Sequence, residues 1–315
     1  MSRSQKNAAL RLLWPDISHY TLLGYYKIMG PSAIVLDFDG SVRPPGGSSC
    51  CDLRTFEERI RYAAGFTGML ALENELKDIA AAHRIFFCGS GDFHHVSHSL
   101  IKLRPLKKVH VIVFDNHPDN MLFPFGIHCG SWVCRAAQLP NVASIAVFGI
   151  ASQDIEGINL FQNRFGVLRS GKVKYFCLKT VSEVGSFLSG GGMVQTSSLA
   201  GSLKEYIASK DGAFYLSIDK DVLSADSIKT SWDQGTLKEK ELLECIDLLS
   251  GRIAAADIYG DLSFYNYKSP AKKILRRIDG KDALIENLEQ EQAHHHALNE
   301  RLLALLVPYL TASVR

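Results

Sequence analysis

The chain has 315 residues, 35 Lys and Arg against 33 Asp and Glu, and a formal net charge of +2; 46% of it is hydrophobic and 22% charged. That is ample material for a core, as one large α/β domain or two smaller ones. The near-zero charge gives no reason to expect nucleic acid or an anionic membrane surface as partner. No apolar run approaches the ~20 residues of a membrane helix, and MSRSQKNAALRLLWPD at the N-terminus lacks the apolar stretch and cleavage site of a signal peptide. The seven cysteines show no paired C-x-x-C spacing, Cys50 and Cys51 being merely adjacent, and read as free thiols of a reducing cytoplasm.

In chain order, a strand is expected at 33–36 (AIVL), helices at 53–64 and 72–83, and strands at 85–88 (IFFC), 109–114 (VHVIVF), 145–148 (IAVF) and 173–177 (VKYFC). The glycine-rich 185–201 reads as a mobile surface loop rather than a domain linker, because strand–helix alternation continues beyond it. A helix follows at 199–209, a strand at 214–218 (FYLSI), a helix at 238–249, a strand at 253–258 (IAAADI) and a long helix at 282–306. The strands are almost wholly apolar, so both faces are covered, and their alternation with helices argues for a three-layer α/β/α fold with a mainly parallel central sheet. We read residues 1–315 as a single domain, with the first ~30 residues and the helix 282–306 peripheral to it.

The segments just after these strands are rich in ligand-type side chains: Asp37 and Asp39; Asp92, His94 and His95; Asp115, His117 and Asp119; Asp219 and Asp221; and Asp257. In open parallel sheets, ligands bind outside the carboxyl ends of the strands. Asp115, His117 and Asp119 are two apart and would point to one side if the strand ran on extended, as would Asp219 and Asp221. Taken singly, each D-x-D is more economically a cap or turn. Together, four carboxylates and a histidine in one cleft would repel each other unless cations sat among them. Mixed carboxylate and imidazole ligands suit Mn²⁺ or a similar divalent ion, and two ions fit this many charges. A two-metal site supplies a hydroxide nucleophile at neutral pH.

DNHPD (115–119) resembles the D-A-H-x-D motif of the arginase–agmatinase (ureohydrolase) superfamily, LSIDKDVL (216–223) its S-F-D-x-D motif, and GSGDFHH (89–95) its first motif, G-G-D-H. The motifs stand in the family's order and, to about Asp261, span over half the chain. The resemblance implies an arginase/deacetylase-like fold and two manganese ions bound by His94, Asp115, His117, Asp119, Asp219 and Asp221. In the family the histidine directly follows the Asp of the first motif. Phe93 intervenes here, which makes His94 the first choice of ligand and His95 the second. The double histidine also resembles the acid–base pair of deacetylase-like enzymes, which makes His95 a catalytic candidate. His128, in FGIHCGSW, resembles the family's proton-shuttling histidine, and its near-neutral intrinsic pKa suits that work; a loop histidine with local hydrogen bonds is the alternative. The implied activity is metal-dependent hydrolysis of a non-peptide C–N bond, amidino or amide, by a metal-bridging hydroxide.

Departures from the family pattern narrow the substrate. Gly260 stands where guanidine-hydrolysing relatives carry a Glu that grips the guanidinium, with Asp261 beside it as a substitute substrate-binding carboxylate. The residues that grip an α-amino acid in the family are not recognisable in DNMLFPFGIH, so arginine is not the expected substrate. The expected partner is a small molecule, with self-association left open.

Two rival readings remain. IVLDFDGS (34–41) resembles the first motif of haloacid-dehalogenase-type phosphatases, with Asp37 as nucleophile and Asp39 as acid/base; a strand-end turn at Gly40 is the plainer account. The chain could also be a non-catalytic binder on an arginase-type fold. His294, His295 and His296 face different ways on a helix and read as a solvated face, and Lys272, Lys273, Arg276 and Arg277 as solvated surface. Cys129 reads as a neutral loop thiol.

Overall fold

The computed structural model describes residues 32–106, 108–278 and 287–310. Its eleven strands are β1 (Ala33–Asp37), β2 (Ser49–Asp52), β3 (Ala63–Ala64), β4 (Ile85–Phe87), β5 (Val109–Phe114), β6 (Ile127–His128), β7 (Val142–Ile150), β8 (Val173–Cys177), β9 (Met193–Gln195), β10 (Phe214–Asp219) and β11 (Ile253–Tyr259). Nine of them form one sheet in the order β2-β1-β4-β11-β10-β5-β7-β8-β9. Every neighbouring pair in it is parallel. β3 and β6 pair antiparallel as a separate two-stranded ribbon.

The three layers follow from side-chain alternation. Along β5, Val109, Val111 and Val113 enter one hydrophobic cluster, together with Leu72 and Leu76 of the helix Phe66–Ala82 and Val96 and Leu100 of the helix Val96–Leu103. Ile112 and Phe114 point the other way, into a cluster with Leu203, Leu242 and Leu302 from the helices Leu199–Ala208, Glu239–Asp247 and Leu288–Tyr309. A strand apolar on both faces therefore sits between two helical layers, as parallel sheets require.

Several expectations need correction. The helix expected at 53–64 is a 3-10 turn, Arg54–Phe56, and one α-turn, Glu57–Ile60. Tyr62 then adopts φ +70. The chain leaves the helix so that Arg61 can enter the interior, with Nε 2.8 Å from Asp92 Oδ2 and Nη1 2.8 Å from Glu57 Oε1. The glycine-rich 185–201 is ordered structure: most of the helix Glu183–Ser189, the edge strand β9 and the start of the helix Leu199–Ala208. The C-terminal helix is Leu288–Tyr309, and it is not peripheral, since Leu298, Leu302 and Leu306 are buried in the second cluster; each such burial contributes about 2 kcal/mol. The beginning of the helix expected at 282–306, and the first 30 residues, lie outside the described residues.

Finally, two expected solvated faces are partly internal. His295 is buried and its Nε2 bonds the Lys229 carbonyl at 2.8 Å. Lys272 donates to the carbonyls of Glu58 and Arg61, and Arg276 pairs with Asp92 at 3.1 Å.

Candidate metal centre

The chain crosses from β4 to β5 and later returns to lay β10 and β11 between them. This reversal of strand order opens a crevice at the carboxyl ends of the four central strands, where α/β sheets bind ligands. Asp115 directly follows β5, Asp219 ends β10, and the turn Gly91–Phe93, leading into His94, follows β4.

The side chains converge, though not by extended alternation. After Phe114 the chain leaves the strand, and Asp119 takes φ +48. Asp221 sits in a 3-10 turn, Lys220–Val222, that the Asp219 carboxylate caps by accepting the Asp221 N–H at 3.1 Å. Turns, rather than β-geometry, therefore aim the carboxylates inward. Gly91 permits the close approach: a Cβ there would stand 2.8 Å from Asp219 Oδ2.

His94 Nδ1 lies 3.1 Å from Asp115 Oδ2, 2.9 Å from Asp119 Oδ2 and 3.6 Å from Asp219 Oδ2. His117 Nδ1 lies 3.4 Å from Asp115 Oδ1 and 2.9 Å from Asp221 Oδ2. Asp115 thus turns one oxygen to each histidine. Two groups compact enough to hold an ion result, His94–Asp115–Asp119 and Asp115–His117–Asp221, and they share Asp115.

The ring orientations are fixed from behind. Ser217 Oγ meets His94 Nε2 at 2.9 Å, and Asp233 Oδ1 meets His117 Nε2 at 2.9 Å, so both rings present Nδ1 to the carboxylates. Trp132 Nε1 donates to Asp119 Oδ2 at 2.7 Å.

The electrostatics describe an anionic site short of cations. Burial, then the charge of Asp115, pushes the Asp119 carboxyl up to about 7. Burial and the same neighbour push Asp221 up to about 7. Asp219 is driven well up by burial and then by Asp221. Burial also acts upward on Asp115, but hydrogen bonds to His117 and His94 outweigh it and keep this group below the usual carboxylate range. Burial opposes charging both imidazoles; the carboxylates around them win and raise His94 and His117 well above the ordinary value.

Ligands about 2.1 Å from one ion and at right angles to each other lie ~3 Å apart, which is the spacing seen here. Protonated histidines would offset two of four carboxylates and leave the rest uncompensated, so the residues fit divalent cations.

His128 lines the same cavity, of about 310 Å³, together with Tyr62, Asn120, Met121, Phe123, Asp154 and Trp232. The ribbon β3–β6 places it there through the pair Ala63–His128, and Tyr62 stands edge-on to its ring at 4.3 Å. Its Nδ1 accepts the Gly130 N–H at 2.9 Å.

Four candidates are not brought to the cluster. His95 is 0% exposed, and both ring nitrogens lack a partner among the described residues. It begins the helix Val96–Leu103, where adjacent residues face different ways, so it turns into the protein as His94 turns to the carboxylates. Asp261 is spent on Lys220, whose Nζ donates to Oδ2 at 2.6 Å, and on Asn299 at 3.0 Å; it does not line the cavity. Asp39 accepts from Ser41 and Ser263 and faces Arg61 at 3.6 Å, while Asp37 accepts the Gly40 N–H at 2.7 Å; neither lines the cavity, and the phosphatase reading is not favoured.

Sequence reasoning missed Asp233, Trp132 and the aromatic walls Tyr62, Phe123 and Trp232. Only spacing along single motifs was readable, and these residues arrive from other loops.

No family model matches the chain. In sequence it is similar to an uncharacterised protein of Thermotoga maritima, 29% identical over 250 residues that make up 77% of this chain and 86% of that one. Among solved structures it is similar to formimidoylglutamase from Bacillus subtilis, at 15% identity and TM-score 0.54, over 91% of this chain and 89% of that one. Agmatine ureohydrolase of Thermoplasma volcanium matches at 14% identity and TM-score 0.51, over 94% and 96%. A variant of Trypanosoma cruzi formiminoglutamase, solved with manganese, matches at 10% and 0.52, over 91% and 97%. The chain shares the fold of these enzymes, the arginase-like three-layer arrangement around a parallel sheet.

Proposed function

We propose that the chain is a metal-dependent hydrolase of non-peptide C–N bonds, acting on an amidino or amide group at a two-manganese centre. One observation carries this reading: Asp115 presents Oδ2 to His94 at 3.1 Å and Oδ1 to His117 at 3.4 Å, the disposition of a carboxylate shared by two adjacent ions. Support also comes from the fold shared with amidine-hydrolysing enzymes, one of them solved with manganese.

In this reading His94, Asp119 and Asp219 would hold one ion and His117 and Asp221 the other, with Asp115 contributing to both. Two such ions would supply an activated water at neutral pH and polarise the carbon under attack. The protein's own groups do the rest. His128, on the cavity wall, carries a proton to the departing nitrogen. Tyr62, Phe123 and Trp232 narrow the cavity and displace bulk water, which strengthens every charge interaction inside it.

Gly260 separates this site from the guanidinium-gripping arrangement that the motif resemblance implies. It has φ +94, and a Cβ there would lie 2.8 Å from Asp219 Oδ1. A glutamate at this position would collide with the cluster, so the guanidinium grip must come from elsewhere and arginine is not the substrate.

The test is release of ammonia, urea or amine by the manganese-reconstituted protein across a panel of amidines, guanidines and amides. Turnover lost in His128→Ala, with metal content retained, supports the reading. Metal uptake without turnover on any member leaves a non-catalytic metal-binding protein instead.

A further inference from the structure

A second cavity, of about 400 Å³, lies beside the metal cavity and shares no lining residue with it. Adjacent residues of β6 line the two, Ile127 the second and His128 the first, as alternation along a strand directs. The helix Phe66–Ala82 gives the second cavity an apolar wall, Phe66, Met69 and Leu70, spaced i, i+3 and i+4 on one face. Met69 is buried, whereas Phe66 and Leu70 stand at the rim, 56% and 59% exposed. A volume of this size lies in the range that holds small molecules.

Its polar groups leave one positive charge without an acid. Glu73 is buried and spent: Oε2 pairs with Lys102 at 2.7 Å, and Oε1 accepts from Ser99 Oγ at 3.1 Å. Burial holds His98 neutral, its pKa pushed down to about 4. Arg135, in the helix Trp132–Ala136, remains. Its Nη2 donates to the Phe123 carbonyl at 3.0 Å, and its guanidinium lies over the Phe66 ring, 5.5 Å from the ring centre. Both of these neighbours are uncharged. Among the described residues Arg135 has no carboxylate partner, and its Nε and Nη1 make no hydrogen bond.

We propose that this second cavity is a ligand site for a small molecule with an apolar body ending in a single carboxylate, which Arg135 takes up. A guanidinium carries five N–H donors, and the Phe123 carbonyl occupies one of them. A carboxylate is the stronger partner for the rest, because both members of the pair are then ionised. The apolar body displaces water from Phe66, Met69 and Ile127. A dianion such as a phosphate ester would need a second cation, and Lys102 is already paired with Glu73. An ammonium-ended molecule would meet Arg135 as a like charge. The site stands independently of what the metal centre hydrolyses.

The test is calorimetry on the full chain reconstituted with manganese, with 3-phenylpropanoate and its uncharged amide as the two compounds. The carboxylate should bind roughly tenfold tighter than the amide, and its Kd should be the same after the manganese is removed by chelation. Arg135→Gln should bring the carboxylate to the affinity of the amide and leave the amide unchanged. Leu70→Glu, at an exposed rim position, should weaken the carboxylate roughly tenfold and the amide less; it carries the test if circular dichroism shows Arg135→Gln to be unfolded. No binding of the carboxylate, equal binding of the two compounds, or a preference that survives in folded Arg135→Gln overturns the proposal. Binding that disappears with the manganese belongs to the metal centre and overturns it too. If Leu70→Glu changes the association state in sedimentation and leaves carboxylate binding untouched, the cavity face is an interface between copies of this chain and the proposal falls.

Discussion

Asp233 Oδ1 lies 2.9 Å from Nε2 of His117, on the side of the ring away from Asp115 and Asp221. The carboxylate fixes the tautomer, so Nδ1 is left with a lone pair for a cation, and it raises the basicity of the ring. Asp233 is held in turn through its carbonyl, which accepts Asn116 Nδ2 at 2.9 Å. Asp233→Ala should therefore weaken manganese binding about 10–100-fold with little loss of stability, because its side chain is about half exposed. Competition against a metal-binding dye measures this, and Asp233→Glu should recover part of the affinity.

Metal uptake should also release protons. In the absence of ions, Asp119 and Asp221 are pushed up to about 7 from an ordinary 3.8. The folded metal-free protein thus binds protons there that an unfolded chain has already lost. From these two groups, stability of the metal-free protein falls as pH rises from about 4 to 7, and a cation relieves the loss by taking the protons' place. Affinity for manganese should rise with pH through 7 and keep rising above it, because His94 and His117, both raised well above the ordinary value, must lose their protons too. Calorimetry in buffers of different ionisation enthalpy would detect the released protons; an affinity independent of pH would count against these carboxylates as ligands.

Lys220 and Asp261 form a buried pair at 2.6 Å, both essentially inaccessible. Burial lowers the Lys220 pKa, and Asp261 works against that shift. Removing one partner leaves the other's charge uncompensated, so Asp261→Ala should cost about 3–5 kcal/mol in denaturant unfolding. Lys220→Met/Asp261→Leu should be far less damaging than either single change. Substrate KM of the folded Asp261→Asn protein should stay unchanged, which a substrate-binding carboxylate would not allow.

Gly260→Glu is the change that sequence comparison alone would suggest for building a guanidinium grip. The positive φ and the 2.8 Å approach to Asp219 Oδ1 predict the opposite outcome. Manganese content should fall, the fold should lose a few kcal/mol to backbone strain and overpacking, and no arginine hydrolysis should appear.

The core strands were legible because β5, β8, β10 and β11 are apolar on both faces, a pattern that residue order alone displays. β2 and β9 were not, since SCCD and MVQ are short edge strands with a half-exposed pattern. The helix expected at 53–64 failed on Arg61, whose buried partners Asp92 and Asp39 come from distant segments. In the site, strand-end carboxylates two residues apart were readable. The choice between His94 and His95 was not, because it depends on how far the turn Gly91–Phe93 rotates the chain before the helix begins. Asp261 looked available beside Gly260 because a buried lysine partner leaves no local mark. Asp233 gained its role only through its contact with His117.

The central claim is that Asp115 is shared by two ions. The most direct measurement is metal content per chain, by plasma mass spectrometry after manganese reconstitution, for the native protein beside Asp115→Ala and Asp119→Ala/Asp221→Ala. The account predicts about two manganese ions per native chain, loss of both in Asp115→Ala and loss of both in the double variant, with the fold retained by circular dichroism. Full metal content in folded Asp115→Ala protein would contradict it.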